Sequence, residues 1–110
     1  MHSVRTQHRW DKFLKFYSEQ YKGRRTRLGV FEQSQGVTND FWIEDGLPIL
    51  GIDLDSSGDR PTVEVLLNGY SHSVADAQGL NVHFSLDGDE DGLDIIHGNG
   101  TSTILRFEKD

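Results

Sequence analysis

The sequence predicts a mainly β protein of the α+β class. One N-terminal helix packs on seven to eight antiparallel strands that form a barrel or roll, cupin-like or a similar small barrel. Three observations carry this reading. Aromatic residues near the start recur at helical spacing. After Gly23 the apolar period falls from 3.6 towards two and stays there. Turn signals separate the strand-like runs at intervals of roughly 8 to 12 residues, which leaves no room for crossover helices and excludes a parallel α/β sheet.

From His8 to Lys22 the residues Trp10, Phe13, Leu14, Tyr17 and Tyr21 form one narrow helical stripe, with Lys12, Lys15 and Glu19 opposite. Thr6 or Ser3 is placed to cap the start, and Gly23 to end it. Residues 1–6 read as a loose tail. Phe16 lies off the stripe and is expected to meet a neighbouring element. Such a stripe is read as core.

The β part is expected over residues 25–108. Arg25 to Gln33 reads as a strand with Leu28 and Val30 on one face and Phe31 on the other. Thr38 to Glu44 reads as a second, ended by Asp45-Gly46. Ile49 to Leu54 reads as a third, with Leu50, Ile52 and Leu54 sharing a face and Pro48 at its start, where a missing N–H does least harm. The sharpest local signal is Asn68-Gly69 between Thr62–Leu67 and Tyr70–Val74, a hairpin around a type I′ turn. Counting outward pairs Leu67 with Tyr70, Val65 with His72 and Val63 with Val74, all on one face. His72 is thus placed on the apolar side. Leu80, Val82, Phe84 and Leu86 alternate with polar residues as a half-buried strand that leaves His83 on the wet face. Leu93 to His97 and Thr101 to Glu108 form a last hairpin.

Composition bounds the function. The 110 residues, 35% hydrophobic and with 11 aromatic side chains, suit one domain with a modest core. No cysteine is present, which excludes disulfides, Cys-ligated metals and thiol nucleophiles. No apolar run approaches the ~18 residues of a membrane span, and no signal-peptide pattern opens the chain, so a cytoplasmic location and no membrane partner are expected. Charge is split. Residues 1–30 carry eight basic and two acidic side chains, and the remainder three basic and 16 acidic. The acidic body argues against a nucleic-acid partner.

Two segments resemble calcium loops. Asp53, Asp55 and Glu64 stand at positions 1, 3 and 12 of such a loop, with Gly58 at 6. Strand-like flanks, Arg60 and Pro61 argue against it. Asp87, Asp89 and Asp91 repeat the first half of the pattern, but Gly98 takes the place of the bidentate carboxylate. Acidic, glycine-rich hairpin loops are the simpler reading of both. His72 inward and His83 outward argue against convergence of the three strand histidines. No catalytic triad, nucleophile elbow or phosphate loop is legible, and no catalytic residue or cofactor is implied.

Several short stretches, taken in order, resemble one known pattern. They are Trp10-x-x-Phe13-Leu14, Gly23-Arg24-Arg25, Gly46-Leu47-Pro48-Ile49-x-Gly51-Ile52, His72-Ser73-Val74 and Gly100 to Phe107. The chain resembles a small bacterial family known only as a domain of unknown function. The resemblance implies a stand-alone bacterial protein and brings no activity, cofactor or site. His72 and Arg106 are the polar exceptions among these residues; they are the candidate ligand-binding residues, and a carboxylate partner inside or near the barrel is expected for them. The leading expectation is a non-enzymatic binding or regulatory module. The alternatives are a cupin-like metal-binding protein or enzyme using His72, with His97 as a further ligand, and a structural homo-oligomer, such as a homodimer joined through sheet edges or the aromatic helix.

Overall fold

The computed structural model describes residues 2–34, 37–56, 60–97 and 100–108. One helix, α1 (His2–Tyr21), precedes seven strands: β1 (Arg25–Ser34), β2 (Val37–Asp55), β3 (Thr62–Leu67), β4 (Tyr70–Val74), β5 (Ala77–Phe84), β6 (Glu90–His97) and β7 (Thr101–Phe107). All neighbours are antiparallel, in the order β4-β3-β2-β1-β7-β6-β5. The sheet does not close into a barrel. It folds over as a roll-like sandwich, with β4 and β5 as free edges.

The helix starts at His2, so the segment expected as a loose tail is helical. Nothing in Ser3 to Gln7 breaks a helix, since neither Gly nor Pro occurs there. Leu14, Tyr17 and Tyr21 of the stripe are buried. Phe13, Tyr17, Tyr21 and Phe107 form a run of tilted and stacked rings, Tyr21 and Phe107 standing 4.4 Å apart. Arg24 caps this run with its guanidinium 5.1 Å from the Phe107 ring. Phe16, expected to meet a neighbouring element, is 57% exposed. Gly23, at φ 90°, ends the helix in the left-handed region that only glycine enters freely.

The two strands expected at 38–44 and 49–54 are one continuous strand, β2. Asp45-Gly46 does not end it. Gly46, at φ 98°, is the extra residue of a bulge, because Arg27 lies opposite Asp45 and Thr26 opposite Leu47. Another register shift falls at Ile43, and a third at Leu50, where Ile49 faces Leu67 and Gly51 faces Leu66. This shifts the parity by one. Ile49 and Ile52 are buried, and Leu50 is 47% exposed instead of sharing a face with Ile52.

β2 also changes partner along its length. Residues up to Pro48 pair with β1, and residues from Ile49 pair with β3. The edge that β1 leaves vacant is taken by the chain just before it. Ile49 N–H donates to Arg24 O (2.8 Å), Gly23 N–H to Ile49 O (2.8 Å), and Ile52 N–H to Ser18 Oγ (2.8 Å). The helix therefore stands in for a strand at this position.

The β3–β4 hairpin has the expected register, Val63 to Val74, Val65 to His72 and Leu67 to Tyr70. Its inner residues join Leu28, Leu93, Ile95 and Leu105 from the other layer in one core. β5 departs from expectation at its end. Leu80 and Val82 are partly buried, but Phe84 and Leu86 are exposed, because a bulge between His83 and Phe84 turns the edge away and Leu86 lies beyond the strand.

Two glycines on the outer face of the larger layer are covered by a flat side chain from the next strand. The Trp42 ring lies over Gly29, and Arg106 over Gly92. A Cβ on Gly92 would run into the backbone carbonyl of Leu105, which cannot retreat without breaking the β6–β7 ladder. We expect Gly92→Ala to cost about 2 kcal/mol or more, a strain typical of overpacking, and to lower the melting temperature by roughly 10 °C. Gly88→Ala, where a Cβ meets nothing, costs only the positive φ. Thermal unfolding of the two variants checks the difference.

Candidate functional site

Two fully buried threonines interrupt the apolar inner face of the roll, Thr26 at one end of the β1–β7 ladder and Thr103 towards the other. There Thr103 on β7, fully buried, receives two imidazoles. His97 Nε2 lies 2.9 Å from its Oγ1, and His72 Nε2 lies 3.5 Å from the same atom. Strand parity builds this cluster. His72 stands opposite Val65 on β4, His97 opposite Ala77 at the end of β6, and Thr103 opposite Val30 on β7. The convergence that the sequence argued against therefore occurs for two of the three histidines. His83 goes elsewhere and contacts Asp91, Nδ1 to Oδ1, at 2.5 Å.

Burial pushes the pKa of His72 below the usual imidazole value, and His97 beside it pushes the same way. Burial also lowers His97, opposed by the negative charge of Asp76. Asp76 sits in a left-handed conformation at φ 55° and pairs with Arg60 at 2.9 Å. Both imidazoles are thus biased towards the neutral form, with a free lone pair. Thr103 is too enclosed to act as a nucleophile, so the cluster is suited to holding a ligand rather than to covalent catalysis. The sequence reading missed Thr103 and Asp76. Parity with Leu105 and Phe107 was the available signal for Thr103.

Arg106 does not join His72. It projects from the opposite face of β7, where its Nη1 donates to Asp94 Oδ1 (2.8 Å) and to Leu105 O (2.9 Å). The carboxylate partner expected for it exists, but outside the roll.

The candidate calcium ligands do not form the loop sites expected of them. Asp53 and Glu64 are direct cross-strand partners on β2 and β3, and Asp55 faces Thr62. They belong to a strand ladder, not to a helix-flanked loop. Glu64 accepts from Ser73 Oγ at 3.3 Å. In the second segment, Ser85 and Asp89 close a tight turn, Ser85 N–H donating to Asp89 O at 2.8 Å, while Asp91 is engaged by His83. Asp87 lies in that turn. Among the described residues, no group of three or more His, Asp or Glu side chains is arranged to hold a metal ion.

A groove of about 740 Å³ lies between α1 and the outer surface of β2, β3 and β4. Leu50, Leu54 and Leu66 supply apolar surface. Asp11, Glu19, Asp53, Asp55 and Glu64 supply negative charge, and among the described residues Lys15 is the one basic residue lining it. Among the described residues, no helix is long and apolar enough to cross a membrane. Comparison with protein-family models, with curated proteins and with solved structures yields no match.

The lowered histidine pKa values set a pH dependence. On acidification, unfolded imidazoles take up protons first, near pH 6.5. The unfolded state then binds more protons than the folded state, so stability falls as pH drops below that value and is fully present above it. Urea unfolding at a series of pH values checks this. Replacing His97 with Gln is expected to flatten the slope between neutral and mildly acidic pH.

Proposed function

We propose that the chain is a non-enzymatic binding module whose groove holds a cationic polypeptide segment. The observation that carries this reading is the composition of the groove: among the described residues, leucine surface is flanked by five carboxylates, against one lysine. An extended or helical segment that alternates leucine-like and lysine-like residues would bury the first on Leu50 and Leu66 and present the second to Asp53 and Glu64. The volume lies within the ~300–1,000 Å³ of ordinary binding clefts. Exposed charge pairs add little affinity each, but they steer encounter and make it sensitive to salt.

A second reading, self-association, is favoured by a different observation. β5 is a free edge of eight residues without Lys, Arg, Asp, Glu or Pro, and the exposed Phe84 closes it. Charges and prolines are the usual devices against edge-to-edge pairing.

Titration of ¹⁵N-labelled protein with a short alternating Lys-Leu peptide tests the first reading. Amide shifts are expected along 50–55 and 64–73, weakening several-fold as salt is raised. Asp53→Lys with Glu64→Lys is expected to abolish them. Shifts scattered over the acidic turn at 87–91, or unaffected by the double variant, would rule the groove out. Light scattering over a range of concentrations tests the second reading, and Val82→Lys on the edge is expected to lower any dimer fraction.

A further inference from the structure

We propose that the acidic groove is filled by α1 of a second copy of this chain, each helix lying in the other's groove, so that the protein is a reciprocal two-fold dimer. The proposal rests on the reading of the groove as a site for a cationic segment, and it names that segment. The contact is separate from the β5 edge.

The outer side of α1 supplies one half of the contact. Opposite the buried Leu14, Tyr17 and Tyr21, the side chains of Arg9, Lys12 and Phe16 are exposed. Their spacing of +3 and +7 puts them on one row of the helix. The other four rings of α1, Trp10, Phe13, Tyr17 and Tyr21, pack in or against the core, whereas Phe16 is 57% exposed beside two basic side chains.

The groove supplies the converse surface. Its floor is the outer face of the β2–β3 ladder, where three cross-strand pairs follow one another: Gly51 with Leu66, Asp53 with Glu64, and Asp55 with Thr62. Leu50, 47% exposed, stands beside the first pair. The floor thus runs from apolar to acidic in steps of two residues, about 7 Å each. The helix row runs from aromatic to basic on a similar scale. Phe16 to Lys12 is about 6 Å along the axis, and Phe16 to Arg9 about 10 Å. Phe16 laid on Leu50 and Leu66 sets Lys12 against Asp53 and Glu64, and Arg9 towards Asp55. The long basic side chains span the few ångströms of mismatch.

Charge selects a second copy over other occupants. Residues 1–30 carry eight basic and two acidic side chains, and the remainder three basic and 16 acidic, so the chain brings its own cationic segment. A lipid surface or nucleic acid would suit the basic row alone, but the carboxylates of the groove stand beside that row and repel polyanions. Asp11, Lys15, Ser18 and Glu19 line the groove from α1, next to the row of Arg9, Lys12 and Phe16. Both halves of the contact therefore lie on one side of the molecule. A two-fold axis between two copies satisfies both contacts at once and closes the assembly.

Sedimentation of the full-length protein from micromolar to millimolar concentration tests this. A dimer is expected, weakened several-fold as salt is raised. Two charge-reversed proteins are then made, one with Arg9→Glu and Lys12→Glu on the helix, the other with Asp53→Lys and Glu64→Lys in the groove. Each alone is expected to associate about tenfold more weakly or worse, because reversal sets like charges together at both contacts. Mixed in equal amounts, they are expected to regain association as a heterodimer. The acidic helix of one then meets the basic groove of the other, and the basic helix meets the acidic groove. Should a reversed protein fail to unfold cooperatively, the single reversals Lys12→Glu and Glu64→Lys take its place. A monomer at every concentration, a dimer that survives either reversal, or a mixture that stays monomeric overturns the proposal. The Lys-Leu peptide then separates the two readings. Shifts along 50–55 and 64–73 leave the groove to a foreign cationic segment, and their absence removes the groove reading as well.

Discussion

A strand can hold hydrogen-bonded neighbours on both sides, and β2 uses that capacity unevenly. Its first part pairs with β1 and its last part with β3, with the exchange falling at Pro48 and the Leu50 bulge. Pro48 has no N–H to lose, and its carbonyl is taken by Asn68 N–H at 2.9 Å. Beyond the exchange β2 would expose a bare edge to solvent. Residues 18–24 cover it, through Ser18 Oγ and the backbone of Gly23 and Arg24. Each such bond contributes about 1 kcal/mol. Their larger effect is to fix where α1 lies. The helix position in turn decides which ring faces Phe107, where the acidic groove opens and how the two layers fold over the core.

The interior shows how a small domain tolerates polar groups. Thr26 is fully buried, yet its Oγ1 donates to Leu47 O at 2.9 Å, which satisfies it within its own ladder. Tyr17 is less fortunate. Its hydroxyl is buried with no hydrogen-bond partner among the described residues, and burial drives its pKa upward. The ring contacts with Phe13, Tyr21 and Phe107 offset that cost by apolar burial and tilted stacking. The Tyr21 hydroxyl, by contrast, reaches Glu90 at 3.1 Å and ties the helix to the start of β6.

Much of the architecture was legible because local chemistry and tertiary packing agree. Asn68-Gly69 permits one hairpin register, and the pairing of Val65 with His72 follows from counting. The stripe of Leu14, Tyr17 and Tyr21 is long enough to specify its buried face. What escaped were the bulges. A single extra residue at Gly46 or Leu50 leaves no mark on composition, yet it merges two strands and inverts which leucine is wet. The same limit hid the histidine pair. Parity placed His72 inside, but the meeting with His97 depends on β4 folding over β7, a relation between layers that no short-range pattern encodes. Arg106 illustrates the converse. Its neighbours Leu105 and Phe107 are buried, so alternation alone sends it to the outer face, away from His72.

The middle of the sheet is built from the two ends of the β region. β1 pairs with β7 along its length, Thr26 opposite Phe107 and Glu32 opposite Thr101, while the local hairpins β3–β4, β5–β6 and β6–β7 need only short loops. Joining β1 to β7 closes a loop of most of the chain, an entropic step that local hairpin formation does not require. Such high contact order slows folding relative to helical domains of equal size. During synthesis β7, which sits between β1 and β6, is the last of the seven strands to leave the ribosome, so the facing edges of β1 and β6 wait unpaired until residue 107 arrives. The two halves of the sheet are thus joined last, and the strand that joins them is the keystone.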